Sequence, residues 1–222
     1  MDWDALWLSV RLGGLTVLIL LPFAVIMGRW LAVTRVSGKS LIEASLALPI
    51  VLPPTVLGLY LLVTFGAASW VGQMWQNLFG HTLVFTFEGL LIASVIVNIP
   101  FAVQPIQRAF EAISPDLREA AACCGLTWWR SLWRIELPLA WPGIMTGMVL
   151  TFAHTLGEFG VVLMVGGSIP GETRTISIAI YDRVQAFDNE AAGKMAAVLL
   201  LISLVTISLS YMFTNRMRRR HD

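Results

Sequence analysis

The sequence has very few charged residues for its length, and they are unevenly distributed. Asp, Glu, Lys and Arg make up 13% of the 222 residues, while hydrophobic residues make up 57%. No charged residue occurs between Glu43 and Glu88, and none occurs between Glu88 and Arg108. A transmembrane helix needs roughly 20 mostly apolar residues, so each stretch is long enough to cross a bilayer. The composition therefore argues against a soluble globular domain and predicts a membrane protein.

The sequence also lacks the patterns that disulfides, metal sites and catalysis require. Cys123 and Cys124 are the only cysteines, and two adjacent residues offer neither a Cys-x-x-Cys pair nor a disulfide framework. We find no His/Cys cluster at metal-ligand spacing, no Ser/His/Asp set and no catalytic pair of carboxylates. We therefore expect no enzymatic site, no metal and no cofactor on this chain. The P-loop pattern Gly-x-x-x-x-Gly-Lys-[Ser/Thr] is absent too, so the chain is not expected to bind ATP through such a loop.

Five apolar segments are long enough, with their flanking residues, to cross a membrane. They lie at about residues 6–27, 41–65, 89–103, 139–165 and 195–214. We therefore predict an all-α membrane protein with about five transmembrane helices, built as a single transmembrane domain over residues 1–222. The N-terminal Met-Asp-Trp-Asp lacks the positive charge of a secretory signal peptide, so we expect the first segment to be kept as a span.

The basic residues predict how these segments are oriented. Eleven of the 15 Lys and Arg residues fall on one side of the predicted bilayer and four on the other. Because Lys and Arg are enriched in cytoplasmic loops, we expect the N-terminus outside and the C-terminus in the cytoplasm. Arg216, Arg218, Arg219 and Arg220 would anchor the last span beside acidic lipid headgroups. A net charge of +1 gives no reason to expect a nucleic-acid partner.

A polar island at residues 114–138 separates two apolar segments on the predicted cytoplasmic side. Ser114 is a good N-cap, and Pro115 suits the first helical position. Gly125 stands where a left-handed residue would end this helix, and Thr127 could cap a second, shorter helix. The pattern predicts two short helices joined by a glycine.

Prolines interrupt the second apolar segment. Pro53 and Pro54 remove helical N–H groups and free carbonyls, which is tolerated at membrane depth where the backbone is buried in protein or lines a wet cavity. These two residues and Thr55 are therefore candidates for a pathway or gate. A proline kink that only shapes packing explains the pattern equally well.

Polar residues in two other segments are further pathway candidates. Asn98 could face a cavity or make a hydrogen bond between helices. Glu158, directly after Gly157, is the one carboxylate well inside a predicted span. His154 precedes it by four residues, so the two side chains share a helix face and can pair. Both a substrate contact and a structural charge satisfied by His154 fit this position.

Two stretches on the predicted outer side favour short helices. Aromatic residues recur at helix-like spacing within residues 66–88, as in a helix that lies in the membrane interface. Ile176, Ile180 and Val184 would form one face of an amphipathic helix that could receive a soluble partner.

The polar island contains a recognisable motif. Glu-Ala-Ala, three residues, Gly, nine residues and Ile-x-Leu-Pro follow one another in this order. The specified positions are Glu119, Ala120, Ala121, Gly125, Ile135, Leu137 and Pro138. This pattern resembles the cytoplasmic EAA signature of importer-type ABC permeases. The resemblance implies that residues of about 111–138 form a coupling helix that fits a groove on an ATP-binding subunit. An amphipathic helix on the inner leaflet is the alternative.

The resemblance extends over nearly the whole chain. The stretches ALPIVLPPTVLG, HTLGEFG and IPGETRTISIAIY are similar to those of molybdate permease subunits, and more distantly of sulfate/thiosulfate permeases. The resemblance implies a type I ABC importer permease in the inner membrane, importing molybdate or tungstate. It implies as partners a second permease copy, two ATP-binding subunits that hold ATP and magnesium, a periplasmic or extracellular oxyanion-binding protein, and membrane lipid. A sulfate/thiosulfate permease, an ion-coupled secondary transporter and a lipid enzyme using Glu158 and His154 are the alternatives.

The predicted spans carry no Lys or Arg at their centres. A dianion crossing them would meet no fixed cation, so we expect high affinity in the delivery protein and passage along backbone and hydroxyl groups near Pro53, Pro54, Thr55 and Asn98. An ionised, unpaired Glu158 would repel a dianion. We therefore expect Glu158 to be paired, protonated or off the pathway.

Overall fold

The computed structural model describes the backbone of residues 1–218 and the side chains of residues 1–208 and Met212. Residues 1–218 form helices and connecting segments, without a β-strand. The helices are α1 (Trp3–Val33), α2 (Lys39–Val51), α3 (Pro54–Phe65), α4 (Trp70–Phe79), α5 (Phe87–Glu111), α6 (Pro115–Cys123), α7 (Trp128–Ser131), a π-helical turn (Leu132–Glu136), α8 (Leu137–Gly157), α9 (Gly160–Gly166), α10 (Ile176–Gln185) and α11 (Asn189–Arg218). The predicted all-α class is confirmed.

Four helical stretches are long and apolar enough to span a membrane, within the described residues. They are α1, α5, the continuous run Trp128–Gly157, and Asn189–Ser208 of α11. The α2–α3 pair passes the same test only as a unit. Counting this pair gives the five spans that the sequence predicts. The predicted arginine anchor at residues 216–220 lies outside the described side chains.

The second predicted span is not a single helix, because α2 and α3 meet at an angle of 106°. Leu52 and Pro53 both have extended backbones, with ψ of 136° and 135°. Each precedes a proline, whose ring disfavours the helical conformation of the residue before it. The prolines therefore break the segment sharply, as their position predicts.

The prediction of a continuous fourth span over residues 139–165 is wrong. Helix α8 ends at Gly157, Glu158 is extended with ψ of 131°, and α9 begins at Gly160. The Glu158 carboxylate accepts a hydrogen bond from the Val161 N–H at 3.2 Å and so starts a new helix. A Cβ on Gly160 would lie 2.7 Å from the Pro54 Cβ. The two breaks in the bundle thus lie against each other.

Helices α1, α5 and α8 form the main core. Leu31 of α1, Ile106 and Phe110 of α5, and Ile144 of α8 are all nearly or fully buried in one apolar cluster. Glycines on α8 let its backbone approach α5, because a Cβ on Gly143 would lie only 2.3 Å from the Ala109 Cβ. This core holds α1, α5 and α8 together at the end of the bundle where α6 and the π-helical turn lie.

The two short helices predicted on one side of the membrane are present as α4 and α10. The buried face of α10 differs in part from the prediction. Ile176 is fully buried, but Val184 is 48% exposed. Ile178 is buried instead, in an apolar cluster with Leu12 and Val162. The repeat predicts the helix correctly, but tertiary contacts select the face that is buried.

Candidate functional site

The two broken segments meet at a cleft of about 490 Å³. Its lining comes from the start of α3 and from the α8–α9 break: Pro54, Thr55, His154, Gly157, Glu158, Phe159 and Gly160. Four of the six predicted pathway residues are among them. Both interrupted segments therefore contribute residues to one cleft.

The remaining two candidates lie outside this lining. Asn98 is fully buried on α5, and Pro53 is exposed at the α2–α3 break. A second cavity of about 110 Å³ adjoins the cleft and shares Pro54, His154 and Glu158 with it. Its other lining residues come from α2, α3, α5 and α9, which places the proline break between two connected spaces.

Asn98 acts through His154. Its amide nitrogen donates to the Ser94 carbonyl at 2.8 Å, which turns its oxygen toward His154 Nδ1 at 3.1 Å. The imidazole ring also stacks on Phe101, with ring centroids 4.0 Å apart. Of the two alternatives for Asn98, the structure therefore shows the hydrogen bond between helices, which fixes the orientation of a cleft-lining histidine.

The His154–Glu158 pair predicted from the sequence is present. The Asn98 oxygen can only accept, so Nδ1 is the donor in that hydrogen bond. The other ring nitrogen, Nε2, lies 3.7 Å from Glu158 Oε2. Glu158 is thus paired and still lines the cleft.

Helix α6 begins and ends where the sequence predicts. The Ser114 hydroxyl accepts a hydrogen bond from the Asp116 N–H at 3.2 Å. Gly125 has φ of +75°, and the N–H of the following Leu126 donates to the Ala121 carbonyl at 3.1 Å. Within the motif, Ala121 is buried, whereas Glu119 and Ala120 are exposed. The helix therefore presents a free polar and small-residue face.

The second short helix predicted after Gly125 is not a separate element. Thr127 occupies its N-cap position, although its hydroxyl makes no capping hydrogen bond within the described residues. Helix α7 continues through the π-helical turn into α8 as one 30-residue helix. Pro138 lacks an N–H, and the wider turn before it, closed by the Leu137 N–H to the Leu132 carbonyl, accommodates the proline. The rest of the motif, Ile135 to Pro138, thus belongs to the start of a spanning helix.

Sequence reasoning missed a buried ion cluster in this segment. Glu136 is only 1% exposed. Arg29 of α1 donates to both of its oxygens, Nε to Oε2 at 2.9 Å and Nη2 to Oε1 at 2.8 Å. Arg118 of α6 donates to Oε2 at 3.4 Å. The one available signal was a carboxylate between the apolar motif residues Ile135 and Leu137.

A second polar cluster ties α2 to α5 at the same end of the bundle. The Gln107 amide donates to Glu43 at 2.6 Å and to Glu111 at 2.8 Å. Lys39 lies 3.6 Å from Glu43 and 3.5 Å from Glu111. This cluster holds the first half of the broken span against the core. No group of three or more His, Cys, Asp or Glu side chains that could hold a metal occurs in the part of the chain that was described.

The helical bundle matches solved ABC importers. A bacterial ABC transporter that imports the acidic polysaccharide alginate matches with a TM-score of 0.76 at 20% identity, over 96% of this chain and 78% of that chain. The MetNI methionine ABC transporter in an inward-facing conformation matches with a TM-score of 0.77 at 14% identity, over 98% and 96%. These identities establish the fold alone. The fold is that of the transmembrane subunit of an ABC importer.

The sequence comparisons define the family. Residues 20–219 match the family described as binding-protein-dependent transport system inner membrane component, and the chain belongs to this family. It is therefore a multi-pass inner-membrane permease of the ABC transporter class.

Molybdenum and sulfate permeases are both among its curated relatives. The molybdenum transport system permease protein ModB of Azotobacter vinelandii is 46% identical over 210 residues, covering 95% of this chain and 93% of that protein. ModB of Escherichia coli K12 is 36% identical over 220 residues, covering 99% and 96%. The sulfate transport system permease protein CysT of E. coli K12 is 34% identical over 198 residues, covering 89% and 71%. The resemblance read from the sequence is confirmed.

Proposed function

We propose that the chain forms the translocation pathway of an ATP-driven molybdate importer. The observation that carries the proposal is the cleft at the facing helix breaks, where four pathway candidates meet in one place. The choice of molybdate rests on the relatives, since the molybdenum permeases match over nearly their whole length.

The composition of the cleft suits a weakly held anion. Among the described side chains, those that line it include no Lys or Arg. Glu158 is held by His154 and by the Val161 N–H rather than left unpaired, which limits its repulsion of a dianion. The Thr55 hydroxyl and the backbone groups freed at the breaks are the remaining polar partners. High affinity then resides in a separate binding protein that delivers the oxyanion.

The exposed face of α6 serves as the coupling surface. Glu119 and Ala120 face outward on a helix that is capped at both ends, and they fit a groove on an ATP-binding subunit. ATP and magnesium bind that subunit. The α6 end of the bundle faces the cytoplasm, with the N-terminus outside, in line with the distribution of Lys and Arg.

A second copy of the permease closes the cleft. The cleft opens beside α3, whose Leu59, Tyr60 and Val63 are 48%, 62% and 64% exposed. This apolar face continues directly from the lining residues Pro54 and Thr55. A homodimer would cover it and place two clefts around one pathway, with one ATP-binding subunit on each α6.

Reconstitution tests the proposal. The permease is assembled with its ATP-binding subunit in liposomes, the binding protein is added, and uptake of molybdate is measured with tungstate and sulfate as competitors. We expect ATP-dependent uptake that tungstate inhibits more strongly than sulfate. Stronger inhibition by sulfate would reassign the substrate, and uptake driven by an ion gradient without ATP would contradict the proposal. A tight, saturable molybdate site on the isolated permease would contradict the weak-pathway argument.

A matched pair of variants tests whether the substrate passes through the cleft. Thr55→Phe puts a large ring into the cleft, so uptake should be mostly lost while assembly is unchanged. Thr82→Phe makes the same change at an exposed position between α4 and α5, outside both the cleft lining and the exposed face of α3. Equal uptake by the two variants would remove the cleft from the pathway.

A further inference from the structure

We infer that Glu136 is a positioning residue that passes movement of α6 to the spanning helices, with Arg118 as the link on α6 and Arg29 as the link on α1. This inference rests on the proposed function, because an ATP-binding subunit must act on α6. The three residues are called the Glu136 clasp below.

The clasp is buried and geometrically specific. The side chains of Glu136, Arg29 and Arg118 are 1%, 12% and 22% exposed. The two parallel hydrogen bonds from Arg29 form a bidentate pair, the most directional contact between arginine and a carboxylate. Breaking one side of a buried ion cluster is strongly unfavourable, because a charge is left without compensation. The clasp therefore resists separation of its parts.

Arg118 attaches α6 to the bundle at two points. Besides its contact with Glu136, its Nη2 donates to the Phe110 carbonyl at 2.7 Å, in the last turn of α5. In the described part of the chain, these two bonds are the side-chain hydrogen bonds that join α6 to other helices. The one buried residue of α6 is the small Ala121. The polar contacts of Arg118 are thus the main side-chain attachment of α6 to the other helices.

Glu136 lies directly before α8, the main part of the spanning helix. It is the last residue of the π-helical turn that leads into α8. Such turns are rare widened segments in which backbone bonding can rearrange locally, and they occur often at functional sites. On the other side, the Arg29 guanidinium lies 4.9 Å over the ring of Trp128 at the start of α7. A displacement of α6 therefore reaches α1 and α8 through one carboxylate, and α5 through the bond from Arg118 to Phe110.

The geometry of the clasp also shows which variant should impair the transmission of movement without impairing folding. Replacing Glu136 leaves two arginines facing each other in a buried site. Replacing Arg118 leaves Glu136 still neutralised by the bidentate Arg29. Arg118→Gln should therefore permit assembly while it detaches α6 from the clasp.

The experiment compares Arg118→Gln with Arg35→Gln, an exposed arginine just after α1 and outside the coupling segment. Each is measured in the full complex in liposomes, as molybdate imported per ATP hydrolysed. Couplings between sites in proteins correspond to about 5- to 150-fold, so we expect a fall on the order of tenfold for Arg118→Gln. ATP hydrolysis should continue, Arg35→Gln should match the wild type, and Arg118→Lys should recover part of the ratio.

A second readout does not depend on the substrate. With Cys123→Ser, spin labels on Cys124 and on Val36→Cys, an exposed position just after α1, report the distance between α6 and α1. The clasp predicts a narrow distribution in the wild type, with and without ATP, and a broad one in Arg118→Gln.

Each outcome decides something. An unchanged transport ratio in Arg118→Gln, an equal fall in Arg35→Gln, or an unchanged label distribution would overturn the inference. If Arg118→Gln does not assemble, Arg118→Lys decides by the same two measurements. If the wild-type complex imports no molybdate, the proposed function fails, and the label distances still decide whether Arg118 joins α6 to α1.

Discussion

Among the described side chains, two buried carboxylates lie in contrasting surroundings. Glu158, 7% exposed at the α8–α9 break, is partnered by one histidine and one backbone N–H. Glu136, 1% exposed before α8, is partnered by two arginines. The first carboxylate lines a cleft, whereas the second, with two arginines around it, lies in a site with excess positive charge.

Under the proposed function, the two sites have different tasks. A pathway for an anion needs groups that hold it only briefly, and no Lys or Arg is among the described residues that line the cleft at Glu158. A junction between helices needs contacts that persist under load, so a bidentate ion pair with a third partner is suitable. The same type of side chain would then serve passage of the anion at one end of α8 and rigidity at the other.

The largest effect is expected from removing the carboxylate of the clasp. Glu136→Leu keeps a similar volume but leaves Arg29 and Arg118 buried without a counter-charge. We expect a destabilisation of about 3–5 kcal/mol, measured by thermal unfolding of the purified permease in detergent, and a low yield of assembled complex.

The matched control is an ion pair on the surface. Glu190 pairs with Lys194 on α11, and both side chains are well exposed. Glu190→Gln should stay within about 1 kcal/mol of the wild type. If Glu136→Leu lowers the free energy of unfolding no more than Glu190→Gln does, the buried ion cluster contributes no more stability than a surface ion pair, and the contrast between the two carboxylates is not one of energy.

An intermediate effect is expected where the two helix breaks touch. Gly160→Val adds a side chain where even a Cβ would lie 2.7 Å from the Pro54 Cβ. Overpacking of this kind costs about 1–3 kcal/mol, and it should push α9 away from α3 and lower uptake as well as the unfolding temperature.

Gly157 provides the comparison on the same loop. A Cβ there would meet no described atom within 4 Å, so Gly157→Ala should change stability by no more than about 0.5 kcal/mol. Equal stability of Gly157→Ala and Gly160→Val would show that the breaks do not need to lie in contact.

Features set by local chemistry could be predicted from the sequence. The caps of α6 follow from Ser114 and Gly125, and the α2–α3 break follows from Pro53 and Pro54, because each effect acts within a few residues of its cause. The apolar segments likewise predict the spans. The grouping of four candidates around one cleft could be predicted only in part. The sequence indicates the α2–α3 break, but it does not show that the two broken segments face each other.

Features set by distant contacts could not be predicted. Arg29 and Glu136 are 107 positions apart, and in the sequence they read as a loop charge and an unspecified motif position. The break after Gly157 has no proline to mark it. It depends on Glu158 bonding to the Val161 N–H and on Gly160 fitting against Pro54, and the second contact exists only in the folded bundle.

Of the two buried carboxylates, Glu158 should show the smaller effect when it is replaced by Gln, and this variant sharpens the contrast most. The amide oxygen of Gln can still accept the Val161 N–H, and its NH₂ can donate to His154 Nε2, so both contacts of Glu158 have a neutral replacement. We expect a stability change within about 1 kcal/mol, unchanged assembly and sustained molybdate uptake in reconstituted liposomes. Glu136→Gln has no such replacement, because two arginines would lose their only formal counter-charge in the clasp. If Glu158→Gln instead abolishes folding, Glu158 is a structural charge like Glu136, and the proposed contrast between the two carboxylates fails.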